Sequence, residues 1–209
     1  MASVPAVKVK IHIPPQPAAA VSVKLPFPAS PELRLAQLSP GPRFDSVTPF
    51  TPERWFELEA YRPRALAGET ADLERLLEQV QFGMLDLASI DRAVLVLTRY
   101  RGRPMSDVSR VTLWQGFGVP TFELYLGPDN SLLAAECEAH EGWHLAPGAE
   151  CWDNDGELIL DGPGNYGLRT GLTATLEEAA CPCGRTTPRL VNIEAIECLA
   201  LPRRLAASA

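Results

Sequence analysis

The feature that most constrains this chain is the concentration of soft donor side chains in two short runs, Cys137-Glu-Ala-His140-Glu-Gly-Trp-His144 and Cys181-Pro-Cys183-Gly184. Two of the three histidines and three of the five cysteines fall there. A fold that brings the runs together gathers thiols and imidazole into a four-donor set. Thiolates select zinc over harder cations, which prefer carboxylate and carbonyl oxygen, and structural zinc sites close as tetrahedra of cysteine and histidine. Cys181 and Cys183 supply two ligands, with Gly184 letting the backbone turn tightly so that both sulfurs point the same way. Cys137 supplies a third, and either His144 or His140 the fourth. The competing uses are a buried thiol acting as a small hydrophobe, a hydrogen-bonded histidine, and a disulfide. Cysteines spaced as 181 and 183 close a strained ring, and a chain without a secretory signal is expected in a reducing compartment. Cys151 and Cys198 read as apolar filling.

At 209 residues the chain is expected to hold one domain, residues 48–209, behind a Pro-rich N-terminal arm, residues 1–47. Apolar residues make up 46% of it, enough for a core. A formal charge of −7 without a basic cluster excludes a nucleic-acid or anionic-membrane surface, since those partners need Lys and Arg to neutralise phosphate. No apolar run approaches the roughly 20 residues needed to cross a bilayer, and Pro14, Pro15 and Pro17 interrupt any leader. A cytoplasmic location is expected.

Nine of the twenty prolines lie in residues 1–47, a density that denies helix and removes ladder donors. Most of that arm is therefore expected to lack regular structure. Within it Val7, Val9, Ile11 and Ile13 alternate with polar residues, as on an edge strand or an arm laid across a partner's sheet, and Val21 to Leu25 repeats this weakly. His12 falls on the polar face. Thr51-Pro52-Glu53 opens a short helix that ends before Pro63. Thr70 is expected to cap a helix to about Phe82, with Leu73, Leu76, Leu77 and Val80 on one face. Ala93 to Thr98 reads as a strand buried on both faces. Val108 to Gly116 is a helix candidate, and Val119 to Tyr125, Leu132 to Glu136 and Glu157 to Leu160 are strand candidates. The pattern is an α/β core passing into a β-rich, zinc-pinned end. Asp153, Asp155, Glu157 and Asp161 read as a solvated turn, because the run lacks the glycine and glutamate positions of a calcium loop.

Several runs together carry a resemblance. Ala135-Glu136-Cys137 through Gly142-Trp143-His144-Leu145, Gly156-Glu157-Leu158-Ile159-Leu160, Leu168-Arg169-Thr170-Gly171, and Cys181-Pro-Cys-Gly-Arg185-Thr186-Thr-Pro188-Arg189-Leu190 resemble, in order and spacing, the phenylacetate-CoA ligase family of adenylate-forming enzymes. The resemblance covers about residues 90–195. It implies a partial adenylate-forming core and a structural zinc held by Cys137, His144, Cys181 and Cys183, with His140 a neighbour or substitute.

The sequence also departs from that family. Leu172 stands where the family's ribose-binding Asp follows Arg-Thr-Gly, and an apolar side chain cannot accept from a hydroxyl. Near Tyr125-Leu126-Gly127-Pro128-Asp129-Asn130 the family's Thr and Glu are missing, as are the upstream phosphate loop and, past Ala209, the domain with the catalytic lysine. No catalytic residue is assigned. The expectation is a non-catalytic zinc-binding protein that acts as a binding or scaffold module for an unidentified protein partner. The alternative is a residual ligase-like enzyme, or a nucleotide or acyl-CoA binder completed by a partner chain.

Overall fold

The computed structural model describes residues 25–27, 33–44 and 47–196. Over these the chain runs through strands β1 (Leu35–Gln37) and β2 (Val47–Pro49), then a 3-10 turn (Pro52–Glu57) leading into the short helix α1 (Leu58–Tyr61). Strand β3 (Ala65–Gly68), helix α2 (Thr70–Gln81), strand β4 (Ala93–Thr98), helix α3 (Asp107–Phe117) and strand β5 (Thr121–Leu126) follow in alternation. Only strands come after: β6 (Leu132–Glu136), β7 (Trp143–Leu145), β8 (Glu150–Asn154), β9 (Glu157–Gly162), β10 (Asn165–Arg169), β11 (Leu172–Glu177) and β12 (Arg189–Ala195).

Nine of these strands form one sheet in the order β11-β12-β7-β6-β5-β4-β3-β1-β2. From β2 to β5 the pairing is parallel, and from β5 to β11 it is antiparallel. Parallel neighbours need a crossover, and between β3 and β4 and between β4 and β5 it is a helix, α2 and α3; antiparallel neighbours need only short turns, and no helix follows β5 among the described residues. α2 presents Leu73, Leu76 and Leu77 to Leu66, Val94 and Val96 of the sheet, and Leu113 of α3 joins the same cluster. The opposite face, with Ala65, Ala67, Leu95, Leu97 and Leu124, is covered by Leu33 and Phe44 and by Leu25 and Phe27. With both faces covered, all six residues of β4 are buried, as a continuous apolar run predicts. The strands β8, β9 and β10 make a second antiparallel sheet whose Leu158 and Leu160 pack on Tyr125, Trp143, Leu172 and Leu190.

Most of residues 33–44 is irregular, but Leu35–Gln37 form β1, which lies between β2 and β3 with Leu35 and Ala36 fully buried, so the sheet begins upstream of residue 48. Proline punctuates this stretch without entering the pairing, with Pro40 and Pro42 in the loop after β1. Thr70 is not the cap of α2. Glu69 holds that place without a side-chain bond, and Ser39 Oγ from the loop after β1 accepts the Glu69 N–H at 2.8 Å. Residues 7–13 with His12, most of Val21 to Leu25, and Cys198 lie outside the described residues. Among the described residues no helix is long and apolar enough to cross a membrane.

Candidate metal centre

β6 ends at Glu136, and Cys137 begins the tight connection to β7. The His140 N–H donates to Cys137 O at 3.0 Å with His140 at φ 54°, and Gly142 follows at φ 100°. A Cβ on Gly142 would lie 2.2 Å from Leu190 O, so only glycine lets β12 close on β7 here. That closure sets Arg189 opposite His144 and Leu190 opposite Trp143, and carries the preceding segment onto Cys137. In it, Cys181 to Gly184 forms a turn closed by the Gly184 N–H on Cys181 O at 2.9 Å. Gly184 has φ 81° and open space where a Cβ would sit, so the dihedral and not a clash calls for glycine.

Cys137, His144, Cys181 and Cys183 converge, with one donor atom from each within 4.8 Å of the others. Cys137 Sγ is 3.7 Å from Cys181 Sγ, and Cys183 Sγ is 3.5 Å from His144 Nε2. An ion bonded tetrahedrally to sulfur at about 2.3 Å and to nitrogen at about 2.0 Å has S···S edges of about 3.8 Å and S···N edges of about 3.5 Å. The Cys137–Cys181 and Cys183–His144 edges fit a metal ion, and all four described cysteines are free thiols rather than disulfides. His140 is not in the set. Its Nδ1 meets Glu136 Oε1 at 3.3 Å and its ring stacks on Phe122 at 4.9 Å. Alternation along β7 explains the choice: Trp143 goes inward to stack on Tyr125 at 5.2 Å, so His144 faces the other way, toward the cysteines.

The surroundings prepare these groups. His144 Nδ1 lies 3.0 Å from Thr187 Oγ1 and 3.1 Å from Thr187 O. A carbonyl only accepts, so the proton belongs on Nδ1 and Nε2 keeps its lone pair for the cluster. Burial pushes the Cys137 thiol up to about 12, against the Ala139 N–H that points at its sulfur. Burial acts the same way on Cys181, but the Cys183 N–H and the side chains of His144, Cys183 and Cys137 outweigh it and hold that thiol at about 6. Crowded thiols cannot all ionise unless a cation joins them. Three thiolates around a dication would leave one negative charge, and the Arg189 guanidinium that reaches Cys181 would offset it. Glu177 holds Arg189 at 2.7 Å and Glu141 at 3.1 Å. Thr187 and Arg189 are the members that sequence reasoning missed; alternation over 189–195 was the available signal for β12, and nothing local marks Thr187.

The residues aligned with nucleotide binding have other occupations. Leu172 is buried against Trp143 and Leu190. Arg169 Nε donates to Glu157 at 2.8 Å, and Glu157 also takes the Gly171 N–H at 2.9 Å. Asp129 closes the β5–β6 turn by accepting from Ser131 Oγ at 2.7 Å and Asn165 at 2.9 Å. At the carboxyl ends of the parallel strands, where open α/β sheets receive ligands, Arg99 donates to Glu69, Asn130 and Pro40 O, tying three loops together.

Fold and site together define an α/β sheet with one helical face and a three-cysteine, one-histidine cluster pinning its antiparallel end. Among solved structures, 2-hydroxyisobutyryl-CoA ligase in the postadenylation state matches 78% of this chain with a TM-score of 0.61 at 15% identity. Coronafacic acid ligase from Pectobacterium brasiliense matches 82% with 0.54 at 14%, and the amide bond synthetase McbA from Marinactinospora thermotolerans 81% with 0.51 at 17%. No family model matches the sequence, and no curated protein does. At these identities the likeness is one of fold: the chain has the fold of part of an adenylate-forming acyl-CoA ligase. It spans 44%, 41% and 42% of the lengths of those three neighbours.

Proposed function

We propose that this chain is a zinc-binding module built on part of an acyl-CoA ligase core, with a structural metal and a binding or scaffold role for an unidentified protein partner. The observation that carries it is the convergence of Cys137, Cys181, Cys183 and His144 within 4.8 Å of one another, with the Cys137–Cys181 and Cys183–His144 edges at tetrahedral lengths. Three thiolates and an imidazole select zinc among common divalent ions, and four protein donors leave no open position for a reacting water. Zinc there would tie the β6–β7 connection to the segment before β12. In zinc-finger peptides such a tie is worth on the order of 10 kcal/mol of folding free energy. Three features support a non-catalytic role: Leu172 is spent on the core, Arg169 on Glu157, and Arg99 on cross-linking loops.

The test is elemental analysis of the purified chain. About one zinc per chain is expected, with Cys183→Ser losing the metal and melting at a lower temperature. Wild-type protein purified under reducing conditions that neither carries zinc nor takes it up would end the proposal.

A further inference from the structure

A cleft of about 620 Å³ opens between the start of α3 and the ends of β6, β7 and β12, a size typical of small-molecule sites. Five carboxyl groups and two guanidinium groups line it, so it favours cations. The group that stands out is Glu123, on β5 and only 2% exposed. Both donors it receives, the Thr98 hydroxyl and the Met105 N–H at 2.7 Å, go to Oε1. Among the described residues Oε2 has no hydrogen-bond donor and Glu123 no ion pair: Arg110 acts on it electrostatically but gives its guanidinium to Glu136 and Thr121 O. Its neighbour Glu136 differs: Oε2 accepts from Arg110 Nη1 at 3.0 Å and from the Glu123 N–H at 2.9 Å, and Oε1 faces His140. Buried carboxylates are ordinarily paired or fully hydrogen-bonded, and a half-satisfied one facing a cleft is an acceptor waiting for a cation.

We propose that the cleft binds an aliphatic amine, whose ammonium head donates to Glu123 Oε2 while Met105, Val191 and Ile193 contact its hydrocarbon body. A hard divalent ion wants six or more oxygens, and here Glu136 Oε2 and Glu141 Oε2 are bound to arginines and Glu136 Oε1 faces His140. A guanidinium prefers two parallel oxygens, and Glu123 offers one. A single rotatable ammonium matches that single acceptor. The site is separate from the metal cluster, since Glu123 is not among its donors.

Titration of the full chain with hexylammonium and with its neutral counterpart 1-hexanol, followed by amide NMR, tests this. Saturable binding of hexylammonium that shifts the Met105 amide is expected, with hexanol weaker by about tenfold or more, as a lost charge-assisted hydrogen bond implies. Glu123→Gln, checked for retained fold and zinc content, should weaken hexylammonium by a similar factor. No saturation by about 10 mM, equal binding of the alcohol, or undiminished binding by a folded Gln variant would each overturn the proposal. Should the Gln variant fail to fold, the Met105 shift in wild-type protein decides: its absence with hexylammonium, or a shift as large with hexanol at equal concentration, overturns it equally.

Discussion

Glu123 and Glu157 show how one residue type is put to opposite uses by its surroundings. Burial holds the Glu123 carboxyl above its ordinary value, with the hydrogen bonds from Thr98 and Met105 working against it. The Gly171 N–H, and after it Arg169, hold Glu157 below its ordinary value. Relative to the unfolded chain the fold makes the charged form of Glu123 costlier, so its contribution to stability is fully present below the ordinary value of 4.5 and is lost as pH rises through the raised folded value, a cost that a bound cation would offset. Glu123→Gln cannot ionise, so the variant should gain on wild type in urea unfolding as the pH is raised from about 4 to about 8. A stability difference that stays flat over that range would contradict the burial argument. At this scale the four clustered donors were legible because their chemistry lies in residue identity. The choice between His140 and His144 was not, because it depends on the alternation of β7 and on a left-handed turn at His140 that spacing does not encode.

At the scale of elements, the start of α2 was read as a local matter and proved to be tertiary. Thr70 stands just inside the helix with no capping bond, while Ser39 Oγ accepts the Glu69 N–H and donates to Asp72 Oδ2 at 2.6 Å. One hydroxyl from the loop after β1 thus fastens both the N-cap residue and the first turn of the helix, from thirty residues away. Ser39→Ala should cost about 1 kcal/mol in chemical denaturation and Thr70→Ala less than about half of that. The reverse order would mean that the helix is capped locally after all. The same cause explains which elements were legible. β4 and α2 carry long, strongly patterned runs, whereas β1, β3 and β7 are three or four residues long, too short to show a period, and are strands only because a neighbour supplies the pairing.

At the scale of the whole molecule the question is whether a ligase-like fold still performs ligase-like chemistry. Attack of a carboxylate on the α-phosphate of ATP needs the nucleotide positioned, its phosphates and Mg²⁺ cradled, and the charge developing at phosphorus met by a fixed cation. The place for this in an open α/β sheet is the carboxyl edge of its parallel strands. In this chain Ser39 binds across that edge to Asp72, and Arg99 spends its donors on Glu69, Asn130 and Pro40 O. Gly41 sits so close over β4 that a Cβ on it would lie 2.7 Å from Leu97. Leu172 is core, and Arg169 is held by Glu157, which also fastens Gly171. These groups thus serve the fold, and groups that must act together are not restored one at a time. The chain incubated with ATP, Mg²⁺ and a panel of aryl and aliphatic acids should release no pyrophosphate above a control without acid, and Leu172→Asp should not change that. Acid-dependent release by the wild-type chain, abolished by Arg169→Ala, would instead make the ion pair with Glu157 a resting state that nucleotide breaks, and the chain an enzyme.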